Sequence, residues 1–261
     1  MRILTACGLL LGVSHIARAQ DPYGDFVVSY VPGTGINSAY EDSSAALGAP
    51  ASSAAITAPA YTDTEIAGVG EGGELTVGFD TPITNDAADH ADGMDFTIFG
   101  NQFFIMGESG ITGVYDHPGL TVWVSQDGVN YYQLAAPDGL PHGADDLYPT
   151  EGSGNPFLPI NPSLSLSSFE GESTAGALSL YDGSAGGSSY SISWAENADG
   201  EAVDLSSISY IMVDGSTGYG YVDAFSRVET VPEASGVGSI FCAMGMLFFI
   251  RSRRVRKRVR V

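Results

Sequence analysis

Apolar residues in this chain recur at every second position over short stretches. Phe26 to Tyr30, Leu75-Val77-Phe79, Phe96-Ile98, Leu120-Val122-Val124, Tyr190-Ile192-Trp194, Ile208-Tyr210-Met212 and Val222 to Val228 all follow this pattern. Successive side chains of a strand point to opposite faces, so a period of two marks strands buried on one side. Between the runs lie Gly, Asp, Asn, Ser and Pro, as in Asp80-Thr81-Pro82 and Gly152-Ser153-Gly154-Asn155-Pro156, the residues that turns require. No stretch between residues 25 and 228 carries a convincing apolar helix face. A segment of roughly 200 residues is within the range of one all-β domain. The expectation is an all-β body, a single β-sandwich over residues 20–228.

One hairpin is well marked. Val122-Trp123-Val124-Ser125 runs into Asp127-Gly128 and the chain resumes at Tyr131-Tyr132; Asp-Gly favours the positive backbone angles of a tight turn. Two segments read as irregular: residues 49–64, rich in Ala, Ser and Thr, and residues 135–168, which hold Pro137, Pro141, Pro149, Pro156, Pro159 and Pro162. A loop of that length inside a compact domain is often functional, and this one is expected to lie over one end or face of the sandwich.

The two cysteines, Cys7 and Cys242, fall near the two ends, so residues 20–228 contain none. No disulfide can staple the body, and thiolate chemistry and Cys-ligated zinc are excluded there. Charge is equally one-sided. Of the 31 acids all but Glu229 and Glu233 lie in residues 21–228, giving 29, whereas of the 10 bases only Arg227 does, giving a net charge of −28. Such a surface repels nucleic-acid phosphates and anionic lipid, so nucleic acid is excluded as a partner. High-salt adaptation, solubility through self-repulsion and a set of cation sites each produce this balance.

The ends read as export signals. Met1-Arg2 precedes the apolar stretch Ile3 to Val13, and Ala17-Arg18-Ala19 supplies an Ala-x-Ala cleavage site; together these make a secretory signal peptide over residues 1–19. At the other end Val231-Pro232-Glu233 lies in a short linker, residues 229–234. An apolar run over residues 235–250 and a basic tail over residues 251–261 follow. The sixteen residues of the run would form a helix of about 24 Å, short of the roughly 30 Å hydrocarbon core. Gly236, Gly238 and Gly245 weaken it further. One short C-terminal transmembrane helix, serving as a temporary anchor, is the expectation. Seven of the ten bases lie in the tail, and such a cluster holds its side of a membrane helix in the cytoplasm.

Val231, Pro232, Glu233, Ala234 and Ser235, with the apolar run and the Arg-rich end, resemble the PEP-CTERM sorting signal of exported bacterial proteins. Family members usually carry Pro-Glu-Pro, and here Ala234 takes the third place. The resemblance implies an exosortase-type processing enzyme as a partner, removal of the hydrophobic end, and residence at the cell surface or in the extracellular matrix. Within the body, the strand ending Ser125-x-Asp127-Gly128-x-Asn130 and followed by aromatics is similar to a hairpin of discoidin-like, galactose-binding-like jelly rolls. Tyr30-x-Pro32-Gly33-x-Gly35-x-Asn37 with Ala46-Leu47-Gly48-Ala49-Pro50 is similar to the opening of exported proteins that carry such tails.

Three kinds of chemistry can be weighed in the body. Asp89-His90-Ala91-Asp92-Gly93-Met94-Asp95 packs three carboxylates and an imidazole before a strand. Calcium takes six to eight oxygen ligands, so Asp89, Asp92 and Asp95 form one candidate calcium site; an acidic turn among many acidic turns is the alternative. Asp223 is a further candidate, because galactose-binding-like domains often hold a structural calcium near strand ends. Asp145-Asp146 reads as a solvated pair or one bridged by a cation. For catalysis, Asp116-His117 lacks any Gly-x-Ser-x-Gly elbow to complete a triad, and paired carboxylates of the glycosidase type are decided by their separation in space. For binding, Tyr131, Tyr132, Tyr219 and Tyr221 lie in or beside loops, and flat rings near Asp or Asn suit sugars; core plugging is the alternative. The reading that combines these is an exported, non-catalytic adhesion or binding protein whose partner is extracellular polysaccharide. A hydrolase using paired carboxylates and a purely structural coat component compete with it.

Overall fold

The computed structural model describes residues 21–86, 88, 90–115, 120–137, 148–216 and 218–229. The leader, the sorting motif Val231, Pro232 and Glu233, the apolar run and the basic tail lie outside the described residues, as do Asp89, the Asp116-His117 pair and Asp145-Asp146. Among the described residues no helix is long and apolar enough to cross a membrane.

The strands are β1 (Phe26–Val31), β2 (Ala67–Val69), β3 (Glu74–Thr84), β4 (Phe96–Gly100), β5 (Phe103–Gly107), β6 (Gly110–Tyr115), β7 (Thr121–Ser125), β8 (Tyr132–Leu134), β9 (Ser188–Tyr190), β10 (Ala195–Glu196), β11 (Ser207–Asp214) and β12 (Gly220–Arg227). One sheet has the order β1-β3-β11-β7-β8-β10, a second β2-β12-β4-β9, and β5-β6 form a ribbon. Every strand pair in them is antiparallel.

The two larger sheets face each other across one core. Leu75, Val77, Ile211, Val213, Val122 and Val124 come from the six-stranded sheet, and Val69, Phe96, Ile98, Tyr190, Val222 and Phe225 from the four-stranded sheet. A sheet with one buried face must find an apolar partner, and here each sheet is that partner for the other. Phe96 and Tyr190, cross-strand neighbours on β4 and β9, stack at 5.3 Å between ring centroids. The architecture is β-sandwich-like, as the two-residue periodicity predicts.

The outer face of the four-stranded sheet is covered. Phe99 of β4 and Ala224 of β12 pack there against Ala185. Glu151 N–H donates to the Ala185 carbonyl, and the Thr150 hydroxyl to the Gly100 carbonyl. The described end of the Pro-rich loop thus lies over one face of the sandwich, with a second core of Phe104, Ile111, Tyr148, Ile160, Phe169 and Tyr181 beneath the β5-β6 ribbon. Two local features differ from the sequence reading. The run Tyr190-Ile192-Trp194 is not one strand: β9 ends at Tyr190 and a 3-10 turn over Ile192–Trp194 carries the chain into β10. A short helix, α1 (Thr174–Tyr181), is capped by the Ser173 hydroxyl accepting from Gly176 N–H. Eight residues are too few for a helix to persist without packing, and its buried Ala177 and Tyr181 supply that.

Candidate functional site

Because Leu75, Val77, Ile211, Val213, Val122 and Val124 point inward, their neighbours on the same strands point out. The register aligns Ser29, Thr76, Met212, Trp123, Gln133 and Glu196 into one row crossing all six strands. Five inter-strand steps make this track about 24 Å long. A second row places Phe26 opposite Gly78, Gly78 opposite Tyr210 and Tyr210 opposite Ser125. A third places Val31, Glu74, Asp214 and Thr121 side by side.

Local chemistry shapes this surface. Phe26, 40% exposed, lies over the bare α-carbon of Gly78, where an added Cβ would sit 2.4 Å from its ring. The hairpin loop after β7 is held by Asp127, whose carboxylate accepts from the N–H groups of Val129 and Asn130 at 2.9 and 2.8 Å. These amides, joined by the Asn130 side chain, hold the Asp127 carboxyl well below the usual carboxylate range. Gly128, with φ +72°, supplies the left-handed step that Asp-Gly predicts and brings its α-carbon against the Tyr210 ring. The loop delivers Tyr131 across the sheet, where it shares a hydrogen bond with Thr76. Burial first, then the neighbouring Tyr210, Glu74 and Asp127, raise the Tyr131 pKa. Thr76 is only 2% exposed although it points outward, as expected beneath that ring. Trp123 completes the platform; its indole Nε1 has no hydrogen-bond partner among the described residues.

Of the four sequence-predicted tyrosines, Tyr131 joins this face. Tyr132 pairs with Val124, shares its inward side and packs on the main core. Tyr221 packs edge-on against Tyr40 at 5.2 Å over Ala51, Ala54, Ala60 and Ile66. Tyr219, 38% exposed, lies near Tyr221 just before β12, at a different place from Tyr131. The structure therefore divides the predicted set and adds Phe26, Trp123, Tyr210 and Met212.

The predicted carboxylates also separate. Asp95 is fully buried: its Oδ1 accepts from His90 Nδ1 at 2.7 Å, and its Oδ2 from Ile192 N–H at 2.7 Å and the Ser191 hydroxyl at 3.2 Å. Both oxygens are thus engaged by protein donors. Asp92 sits in the preceding turn with φ 54°. The Asp95 carbonyl accepts from Val228 N–H, five residues along the chain from Asp223, or about 17 Å of extended strand. Asp223 is buried at an irregularity in β12, where both its oxygens accept Ala51 N–H at 3.1 and 3.0 Å. Desolvation pushes its pKa up to about 7 against the opposing Ala51 bond, with Glu65 adding to the rise. Among the described residues no three His, Cys, Asp or Glu side chains converge as a metal-binding group.

A groove of about 340 Å³ opens elsewhere, beneath the β5-β6 ribbon, lined by Phe104, Ile111, Val114 and Leu166 with Glu170 at its rim. In comparison with known proteins, no family model matches this chain and no curated protein is similar to it.

Proposed function

We propose that this chain is an exported cell-surface or extracellular-matrix protein whose β-sandwich is a non-catalytic module binding extracellular polysaccharide. The observation that carries the binding reading is the outward face of the six-stranded sheet: Phe26, Tyr131, Tyr210 and Trp123 beside Glu74, Asp214 and Gln133. Sugars offer apolar C–H faces to flat rings and hydroxyls to amides and carboxylates, and an extended chain needs a long, open track. The proposal keeps the galactose-binding-like jelly roll as the finer description of the sandwich. It keeps the tail after Val231 as a PEP-CTERM-like signal read by an exosortase-type enzyme, with the short apolar run passing through the membrane. Calcium at Asp89, Asp92, Asp95 or Asp223 is not required by this reading.

The test is binding of the full chain, in nonionic detergent, to a panel of β-linked oligosaccharides, with Tyr210→Ala as comparison. Retention of intact oligosaccharide by the wild type and its loss in the variant support the module. Cleavage of the oligosaccharide would instead support the hydrolase reading, and no retention of any sugar would leave a structural coat role.

A further inference from the structure

The third row of the outer face contains an arrangement that folding alone does not favour. Glu74 of β3 and Asp214 of β11 are direct cross-strand partners, so their side chains leave the sheet on the same side. Like charges directly opposite one another destabilise a strand pair. Ser29 donates its hydroxyl to Glu74 at 3.2 Å, and Ser216 donates its N–H to Asp214. Among the described residues neither carboxylate is paired with a Lys or Arg side chain. Residues 21–228 cannot readily supply one, because Arg227 is their one fixed base. Its guanidinium is half-buried on β12 and donates to the Thr81 carbonyl.

Two same-face steps along the strands, about 13 Å, lies the row of Phe26 and Tyr210, and between the two rows are Met212 and Trp123. Rings thus occupy two adjacent rows and the Glu74–Asp214 carboxylates the next, at about 7 Å per step. Aromatic faces attract cations as well as C–H groups, and the Asp127 carboxylate beside Tyr131 adds to the negative field.

We propose that the ligand of this face is a polysaccharide bearing protonated amines, a de-N-acetylated amino-sugar polymer, with sugar rings on Tyr210 and Trp123 and an ammonium between Glu74 and Asp214. The inference rests on the polysaccharide-binding reading above and narrows it to one class. Charge complementarity selects the class. A polyanionic glycan is repelled by a body of net charge −28, a neutral glycan leaves Glu74 and Asp214 without a counter-charge, and a cationic glycan supplies one while using the rings.

The experiment measures affinities of the full chain in nonionic detergent for four probes: β-1,4-linked hexamers of glucosamine, N-acetylglucosamine and glucose, and hexalysine. The expected order has the glucosamine hexamer tightest, by about tenfold over its N-acetylated counterpart. That preference shrinks as salt rises from about 0.05 to about 0.5 M, because screening weakens exposed charge pairs. The Glu74→Gln/Asp214→Asn double variant keeps the fold and binds both amino-sugar hexamers equally. Tyr210→Ala loses all sugar hexamers. If that variant fails to fold by circular dichroism, the double variant still decides. Equal or tighter binding of N-acetylated or plain glucose hexamers overturns the inference and leaves the polysaccharide reading standing. Hexalysine binding as tightly as the glucosamine hexamer overturns it too, because charge alone would then suffice. No binding of any sugar hexamer overturns both.

Discussion

Asp223 and Ala51 are joined by a buried, forked hydrogen bond in which one backbone N–H serves both carboxylate oxygens, at 3.1 and 3.0 Å. One donor shared between two oxygens does not replace the water that burial removes. The folded protein therefore holds the Asp223 proton to about pH 7, against a usual value of 3.8.

That shift sets a stability profile. The folded pKa is raised, so the contribution of Asp223 is fully present below pH 3.8 and is lost as pH rises through about 7. The interval corresponds to about 4 kcal/mol. The difference in melting temperature between wild type and Asp223→Asn should swing by about 10 °C in favour of the variant between pH 4 and pH 8. A difference that stays constant with pH would show that Asp223 ionises normally in the folded state.

Asp95 is a hub of a different kind. It collects His90, Ser191 and the Ile192 amide in one buried place and so ties the start of β4 to the chain leaving β9. Asp95→Ala leaves the Ile192 amide and the His90 ring without this acceptor, and Ser191 with the Ser193 hydroxyl alone, at about 1–3 kcal/mol for each donor left unpaired. The expected loss is at least about 3 kcal/mol, a fall of about 6–12 °C in melting temperature. Asp95→Asn, which keeps an oxygen toward the Ile192 amide, should lose less. A melting temperature for the alanine variant within about 2 °C of wild type would contradict the hub.

Gly128 has a narrower role. Its φ of +72° and its approach to Tyr210 leave little tolerance for a side chain, with an added Cβ 3.2 Å from that ring. Gly128→Ala should cost about 1 kcal/mol in chemical denaturation and should weaken sugar binding by moving the loop that carries Tyr131. Unchanged affinity in a folded variant would separate this loop from the platform.

The proposed export makes a prediction about mass. Protein recovered from the cell surface or medium should begin at Gln20 and lack the basic residues after Ile250, as read by intact mass and terminal peptides. Full-length chain confined to the cytosol would remove the surface reading.

The longer strands of the two large sheets were legible because alternation survives in a single sequence, and so was the hairpin, because Asp127-Gly128 admits few other conformations. The proposed binding face was not. Along Ile208 to Val213 nearly every residue is apolar or aromatic, so periodicity leaves the inward set undecided. A register shift between Ile208 and Tyr210 then sends Ile208 inward and Tyr210 and Met212 outward, and a bulge carries no sequence mark of its own. The shift between Val222 and Ala224 places Asp223 in the same way. Tyr131 was found through the turn beside it, whereas Phe26 and Trp123 read only as strand residues, since their exposure depends on which sheet face finds a partner. The ribbon of β5 and β6 was missed because Phe103 to Gly107 is apolar on both sides and Gly110 to Tyr115 is broken by Gly113.

The chain holds two tryptophans: Trp194 lies in the main core, and Trp123 on the outer face of the six-stranded sheet. Intrinsic fluorescence titrated with β-linked oligosaccharide therefore reports on the proposed face. The account predicts a saturable change in wild type that is absent from folded Trp123→Phe. No change in wild type, or the same change in the variant, would contradict it.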